Sequence, residues 1–346
     1  MFFVSRSTIN RMQENKKENP TIITNMAFWQ SPEWLRRVDS IYPLDPDRGD
    51  PALIPWWREA WKLFRLRSRY DIVLTMGIRE SFAYAFMCWL FRCPSRQIMT
   101  EVFIDAQRPD DLLWRIKTGL YRCLARRAIG FITNSTTEIE TNSKRFGVSP
   151  DRFRYVPLNT TISKPEQINN PGGYLFCAGR TLRDNATLAK VINATPDEWQ
   201  IVTGLRDFNN DSLPEHVTIH REISRDHYLQ LLRGARIVIL PLLETERSTG
   251  QVVLLEAMSF GKPVITTRAP GTIDIIRHGE NGYLVEPGDA AGIKKILEDL
   301  IKDPEACLRI GHQALSDVQA IHTTPKHTEV RLNVIRELWL ESTRTK

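Results

Sequence analysis

At 346 residues the chain is long for a single core, so two domains of ordinary size are expected. Hydrophobic residues at 42% and charged residues at 25% give a soluble, globular balance, which argues against a disordered or membrane-embedded chain. The net charge of +6 is uneven: residues 1–150 hold 23 Lys/Arg against 16 Asp/Glu, and the remainder is close to neutral. A basic first half suits an anionic surface or acceptor, or is a solvated basic face.

Residues 1–20 are polar and read as a loosely held end without a basic-plus-apolar leader. Thr21 to Ala27 suits a strand, and the Pro- and Asp-rich run Pro43 to Pro55 a loop. The stretch Pro55 to Arg69 reads as a helix opened by proline. Trp57, Trp61 and Phe64 fall on one side of it, and Arg58, Lys62, Arg65 and Arg69 form a basic band on another. Either that helix lies on anionic lipid or its aromatics pack into the first domain's core. Tyr70 to Met76 is a buried strand ending at Gly77, Glu80 to Phe91 an aromatic-rich helix, and Arg96 to Val102 a strand. Leu112 to Ala128 follows as a basic amphipathic helix and Gly130 to Asn134 as a strand.

A second series begins after the turn Pro157-Leu158-Asn159. Strands are expected at Tyr174 to Ala178, Trp199 to Thr203, Val217 to His220 and Ile237 to Leu240, with helices at Ala186 to Asn193 and Asp226 to Arg233. After Pro241, Ser248-Thr249-Gly250 opens an apolar helix that stops at Gly261, and Pro263 leads into the strand Val264 to Thr266. Strands alternating with helices at this spacing predict α/β architecture with parallel sheets. The expected organisation is an N-terminal domain over 1–158, a second domain over 159–325 and a C-terminal helix over 326–346 packing back on the first. No apolar run approaches the ~18 residues of a membrane span. The five cysteines show no zinc spacing, as expected of free thiols in a reducing compartment.

Ligands of open parallel sheets sit at the carboxyl ends of the strands, where helix N-termini aim unpaired N–H groups. The Ser248-Thr249-Gly250 turn is therefore a candidate phosphate cradle, with Gln251 beside it, and Glu256 one turn on can accept hydrogen bonds from two neighbouring hydroxyls such as those of a ribose. Gly179-Arg180-Thr181-Leu182-Arg183 follows a buried strand, and two arginines at such a mouth can clamp a diphosphate with planar, bidentate donors. Gly204 and Arg221 also end strands, and surface charge is the competing reading for Arg221. All seven histidines lie at or after His216 and none pairs at metal-ligand spacing. Asp45-Pro46-Asp47 sits in a Pro-rich loop and reads as a turn, so no metal or other cofactor is expected.

The stretch Ser248 to Asp289 resembles the donor-binding domain of retaining glycosyltransferases of the GT-B fold, family four. Their signature is a glutamate, seven residues, then Glu-Ala-Met-x-x-Gly-x-Pro-Val; Glu256, Ala257, Met258, Gly261, Pro263 and Val264 match its second part. The first glutamate of the signature falls on Ser248, a departure. The resemblance implies two Rossmann-like domains facing a cleft and a nucleotide-diphosphate sugar as co-substrate. It implies that Arg180, with Arg183 as stand-in for a lysine, holds the phosphates, and that Gly179, Gly204 and Arg221 border the nucleotide. Gly271 and Asp274 resemble a glycine-glycine-x-x-glutamate turn of the family. Relatives place a histidine near the anomeric carbon; here Glu101 or Asp105 stands at the corresponding strand end, and Glu246 is the acid nearest to the missing glutamate. The expected acceptor is a saccharide or lipid-linked saccharide at the cytoplasmic face of the plasma membrane, with no nucleic-acid partner. A nucleotide-sugar epimerase of the same fold and a catalytically silent nucleotide-sugar-binding partner are the alternatives.

Overall fold

The computed structural model describes residues 19–26, 31–42, 54–103, 112–169, 173–204 and 213–344. The chain divides into two compact units, one of Met1–Thr133, Ile139–Val156 and Thr328–Lys346, the other of Asn134–Glu138 and Pro157–His327. Each is a six-stranded, wholly parallel sheet between helices.

The first sheet contains β1 (Ile22–Thr24), β2 (Val38–Ser40), β3 (Ile72–Met76), β4 (Gln97–Thr100), β5 (Gly130–Thr133) and β6 (Phe153–Tyr155), in the order β2-β1-β3-β4-β5-β6. Successive side chains leave opposite faces. Ile72, Leu74, Ile98 and Ile132 pack on one side, with Leu332, Ile335 and Leu338 of the C-terminal helix Thr324–Arg344. Met99 and Phe131 pack on the other with Phe82, Leu124 and Phe146, and Val73 with Leu63, Phe64 and Tyr84.

The helix Trp56–Leu66 corrects the core reading for two of its three aromatics: it buries Glu59, Ala60, Leu63 and Phe64, whereas Trp57 and Trp61 are 50% and 46% exposed. At ~100° per residue, Trp57 falls about 20° and Trp61 about 60° beyond the edge of the buried arc. Glu59 is tolerated inside because Asn25 Nδ2 donates to it at 2.6 Å and the Tyr42 hydroxyl donates to its other oxygen. The basic helix Leu112–Ala125 is shorter than expected and leaves Leu112, Leu113, Ile116 and Leu120 exposed. The expected loop Pro43 to Pro55 lies almost wholly outside the described residues.

The second sheet contains β7 (Tyr174–Ala178), β8 (Trp199–Thr203), β9 (Val217–Arg221), β10 (Ala235–Leu240), β11 (Val264–Thr267) and β12 (Tyr283–Val285), in the order β12-β11-β10-β7-β8-β9. Its two faces are the near-continuous apolar runs expected of parallel strands covered on both sides. Phe176, Val238, Leu240 and Val264 pack against the helix Gln251–Ser259, and Leu175, Cys177, Ile237, Ile239 and Ile265 against the helices Asn185–Asn193 and Ala290–Lys302. The reversal of strand order beside β7 and β10 is a topological switch point, where such sheets open a crevice. Among the described residues no helix is long and apolar enough to cross a membrane.

Candidate active site

At that switch point β7 ends in Gly179, whose φ of +114° favours glycine. The close approach of Arg183 adds a second constraint, since a Cβ on Gly179 would lie 2.2 Å from Arg183 Nη2. Arg183 Nε donates to the Ala178 carbonyl at 2.8 Å and Nη1 to the Thr181 carbonyl at 3.2 Å, and burial pulls its pKa down. Arg183 thus braces the loop, while Arg180 stands exposed and pairs with Glu222 at 3.1 Å. Asp184 caps the following helix by accepting Thr187 N–H at 2.9 Å.

Gly250 opens the helix Gln251–Ser259 in a left-handed conformation, φ +75°. Thr249 and Gln251 are buried, and Gln251 packs beneath Gly271. One turn along, Glu256 is 1% exposed and already well bonded. Arg225 Nη2 donates to Oε1 at 2.6 Å, Thr161 Oγ1 to the same oxygen at 2.5 Å, and Tyr228 Oη to Oε2 at 2.6 Å. Burial, reinforced by the Glu256 charge and hydrogen bond, raises the Tyr228 phenol well above its ordinary value. For Arg225 burial acts downward, but the bond to Glu256 and its charge outweigh it and the guanidinium is held above its usual value. Gly179, Arg180, Thr203, Arg225, Tyr228 and Glu256 line a cavity of about 350 Å³ within the second unit, at the carboxyl ends of β7 and β8.

A second cluster gathers around the Ser248 turn. The segment Asn134–Glu138 belongs to this unit, and its Glu138 is 3% exposed. Glu138 Oε1 accepts Ser248 N–H at 2.7 Å and Oε2 accepts Asn134 N–H at 3.2 Å. Burial raises the Glu138 carboxyl above its usual range, against the pull of those N–H bonds. Asp274 accepts Ser135 Oγ and Thr136 Oγ1, both at 2.5 Å, and Thr136 N–H at 3.0 Å. Gln251 Nε2 donates to the Asn134 carbonyl at 2.9 Å, and Gly271 N–H to Ser135 Oγ at 3.0 Å.

The structure therefore brings Gly179, Arg180 and Glu256 onto one cavity, sets Gly204 and Arg221 at the ends of β8 and β9, and joins Ser248 to Gln251 in the adjoining turn. Glu246 is exposed on the loop before that turn. Glu101 belongs to the first unit, just past β4, with φ +53° and its carboxylate 3.9 Å from the buried Arg331. Asp105 and the Asp45-Pro46-Asp47 turn lie outside the described residues. Arg225, Tyr228, Thr161 and Glu138 were not singled out in the sequence. The available signal for two of them was Ser224, an N-cap whose helix places Arg225 and Tyr228 three residues apart on one face. Among the described residues no group of three or more His, Cys, Asp or Glu is placed to hold a metal ion.

Residues 208–317 match the model of the glycosyl transferases group 1 family. N-acetyl-alpha-D-glucosaminyl L-malate synthase of Bacillus anthracis is 42% identical over 79 residues, covering 23% of this chain and 21% of its own length. The capsular polysaccharide biosynthesis glycosyltransferase CapM of Staphylococcus aureus is 40% identical over 67 residues, 19% and 18% of the two chains. The matched stretch thus spans about a fifth of the length of these curated relatives. The crystal structure of Anabaena HepE in complex with UDP superposes with a TM-score of 0.62 at 16% identity, covering 94% of this chain and 99% of that one. That likeness establishes the fold, which is GT-B.

Proposed function

We propose that this chain, which carries a glycosyl transferases group 1 domain over residues 208–317, is a retaining glycosyltransferase. It moves a sugar from a nucleotide-diphosphate sugar to a saccharide or lipid-linked acceptor in glycan assembly. The observation that carries the reading is the buried carboxylate of Glu256 on the wall of a cavity at the carboxyl ends of β7 and β8, beside the N-terminus of its own helix. An acid held there meets a ribose hydroxyl, while the adjacent helix N-terminus and Arg180 meet the diphosphate. UDP in the HepE crystal structure and the capsular role in the name of CapM support the same class of donor and product.

In this reading the acceptor hydroxyl attacks the anomeric carbon on the face the diphosphate leaves. The new C–O bond forms as the sugar–phosphate bond breaks, and the hydroxyl proton passes to the departing phosphate oxygen. The protein contributes position and donors for the charge that collects on the diphosphate. Thermal-shift screening with UDP, GDP, ADP and their sugars, followed by transfer assays, tests it. Stabilisation by one nucleotide together with a new glycosidic product is expected. A rearranged donor with no new linkage would indicate an epimerase, and binding without turnover a silent partner.

The acceptor side is read from the first unit. Trp56, Trp57 and Trp61 are exposed, as are Phe86, Trp89, Leu90 and Phe91 at the end of the helix Ile78–Leu90. Trp61 stacks on Phe64 at 5.9 Å and Phe64 meets Phe91 at 5.2 Å, so the two helices share one aromatic surface. Arg58 lies over Trp57 and Arg67 over Phe64. Aromatics mixed with arginine suit the interface of an anionic bilayer.

A further inference from the structure

One group of arginines lies away from the carboxyl ends of the strands. Arg96 immediately precedes β4 and Arg152 precedes β6, while Arg126 and Arg127 lie just before β5, so four guanidinium groups converge at the amino ends of three neighbouring strands of the first sheet. All four line one cavity of about 580 Å³. The cavity opens to solvent, with Arg96, Arg126 and Arg127 exposed and Arg152 half-buried, but arginines serving only as ion-pair partners would face carboxylates.

These face backbone carbonyls instead. Arg96 Nη1 donates to the Tyr70 carbonyl at 2.9 Å, Arg127 Nη2 to that of Cys93 at 3.1 Å, and Arg126 Nε to that of Gly147 at 3.4 Å. Arg152 reaches the carbonyls of Ile129 at 3.4 Å and Arg126 at 3.3 Å. Such bonds fix the direction of each guanidinium without neutralising it, with several of the five N–H donors to spare, and Arg152 feels a nearby carboxylate, that of Asp151. The acids on the lining are Asp151 and Glu341, and Glu341 is paired with Arg154 at 2.7 Å. Burial lowers the pKa of Arg152, the mark of a guanidinium held partly out of water. Arg96 also holds a left-handed backbone, φ +48°, a conformation kept by non-glycine residues where the surroundings demand it.

We infer that this cavity is a binding site for an anion carrying two or more phosphate groups, or a phosphate beside a second acidic group, separate from the donor site of the second unit. Planar forks match phosphate oxygens in pairs, and four of them around one volume exceed what a single phosphate can satisfy. The ligand is either a free pyrophosphate-like anion or a phospholipid headgroup. The exposed Trp89-Leu90-Phe91 stretch ends three residues before Pro94 on the cavity wall, which suits the second source. This inference stands whether or not the second unit binds a nucleotide sugar.

The test is calorimetric titration of the full chain with inorganic pyrophosphate at low salt, on an Arg180→Ala background that weakens the proposed donor site. Pyrophosphate should still bind, and Arg127→Gln or Arg152→Gln should each weaken it by at least about tenfold, the loss of one charge-assisted bond. Arg126→Gln removes only a long contact to Gly147 and serves as the variant least apt to disturb folding; it should weaken binding in the same direction. Co-sedimentation with vesicles containing cardiolipin, whose headgroup carries two phosphates, separates the sources. Loss of vesicle binding in the same variants assigns a lipid headgroup, and unchanged vesicle binding with lost pyrophosphate binding assigns a soluble anion. Absence of saturable pyrophosphate binding, or affinity unchanged from the parent in all three arginine variants, overturns the site.

Discussion

Replacing Glu256 by glutamine separates a ligand-binding acid from a buried structural one. Its Oε1 already accepts Arg225 and Thr161 and its Oε2 accepts Tyr228. A carboxylate offers about four lone-pair directions, so about one, on Oε2, is left for a ribose hydroxyl. That is fewer than the two hydroxyls expected from the sequence. Glutamine keeps the shape but turns charge-assisted bonds into neutral ones, a difference of about 1–1.5 kcal/mol for the remaining ligand bond, or roughly tenfold in the dissociation constant. The same change weakens the bond to Arg225, whose side chain is 47% exposed, so the stability loss should stay near 1–2 kcal/mol. Thermal unfolding and calorimetry with the nucleoside diphosphate that binds best give both numbers. Tyr228→Phe is the control: it frees Oε2, lowers stability by about 1 kcal/mol and should leave the nucleotide affinity nearly unchanged. The decisive arm uses 2′- and 3′-deoxy analogues, against one of which the Glu256→Gln penalty should vanish. An unchanged affinity in Glu256→Gln, or an equal penalty with every analogue, would refute the ribose role.

Arg180→Ala should weaken nucleotide binding at least about tenfold while hardly changing stability, because its exposed pair with Glu222 contributes little; an unchanged dissociation constant would move the diphosphate elsewhere. Turnover should survive EDTA, and activity lost to chelation and restored by manganese or magnesium would contradict a mechanism resting on protein donors. Flotation with anionic vesicles should fall with rising salt and in Trp57→Ala/Trp61→Ala, whereas equal flotation with neutral vesicles would exclude the anionic interface. Lys262, 1% exposed, donates to the carbonyls of Ile168 and Arg233, and burial lowers its pKa from 10.5 to about 8. Between those values the unfolded chain binds the extra proton, so stability relative to Lys262→Met should rise with pH from about 8 to 10.5, by up to about 3 kcal/mol. A flat difference across that window would mean that the two carbonyls hold the ammonium charged.

The buried strands were legible because parallel strands covered on both faces read as apolar runs: β7 and β8 coincide with the expected segments, and β3, β10 and β11 differ by one or two residues at an end. The short edge strands were not. Val38-Asp39-Ser40 has one buried residue, and Phe153-Arg154-Tyr155 likewise, so neither shows an alternation to read. The site divides in the same way. Gly179, Gly250 and Glu256 lie on local strand–turn–helix patterns that the sequence displays. Arg225, Thr161 and Glu138 reach the site from 31, 95 and 110 residues away and become visible only once the sheet closes.

Glu138 bears most directly on the departure at Ser248. In the resembled family a glutamate stands there, and a serine hydroxyl is too short and too neutral to replace it. Of the acids near the turn, Glu246 is exposed on the preceding loop, whereas Glu138 is buried with its carboxylate on the Ser248 backbone N–H. An acid used to grip a sugar is best held still by fixed donors, and Glu138 meets that condition. Glu138→Gln should therefore lower turnover and weaken the nucleotide sugar more than the bare nucleotide, while Glu246→Gln leaves turnover near wild type. Glutamine still accepts one of the two backbone N–H bonds, so the fold should tolerate it at a cost of about 1–2 kcal/mol. A general structural defect would weaken nucleotide and nucleotide sugar alike, so the ratio of the two affinities is the readout. Ser248→Glu added to Glu138→Gln should restore part of the lost turnover, whereas Ser248→Glu alone sets two carboxylates together and should do harm. Wild-type turnover in Glu138→Gln, with lost turnover in Glu246→Gln, would return the role to the loop acid.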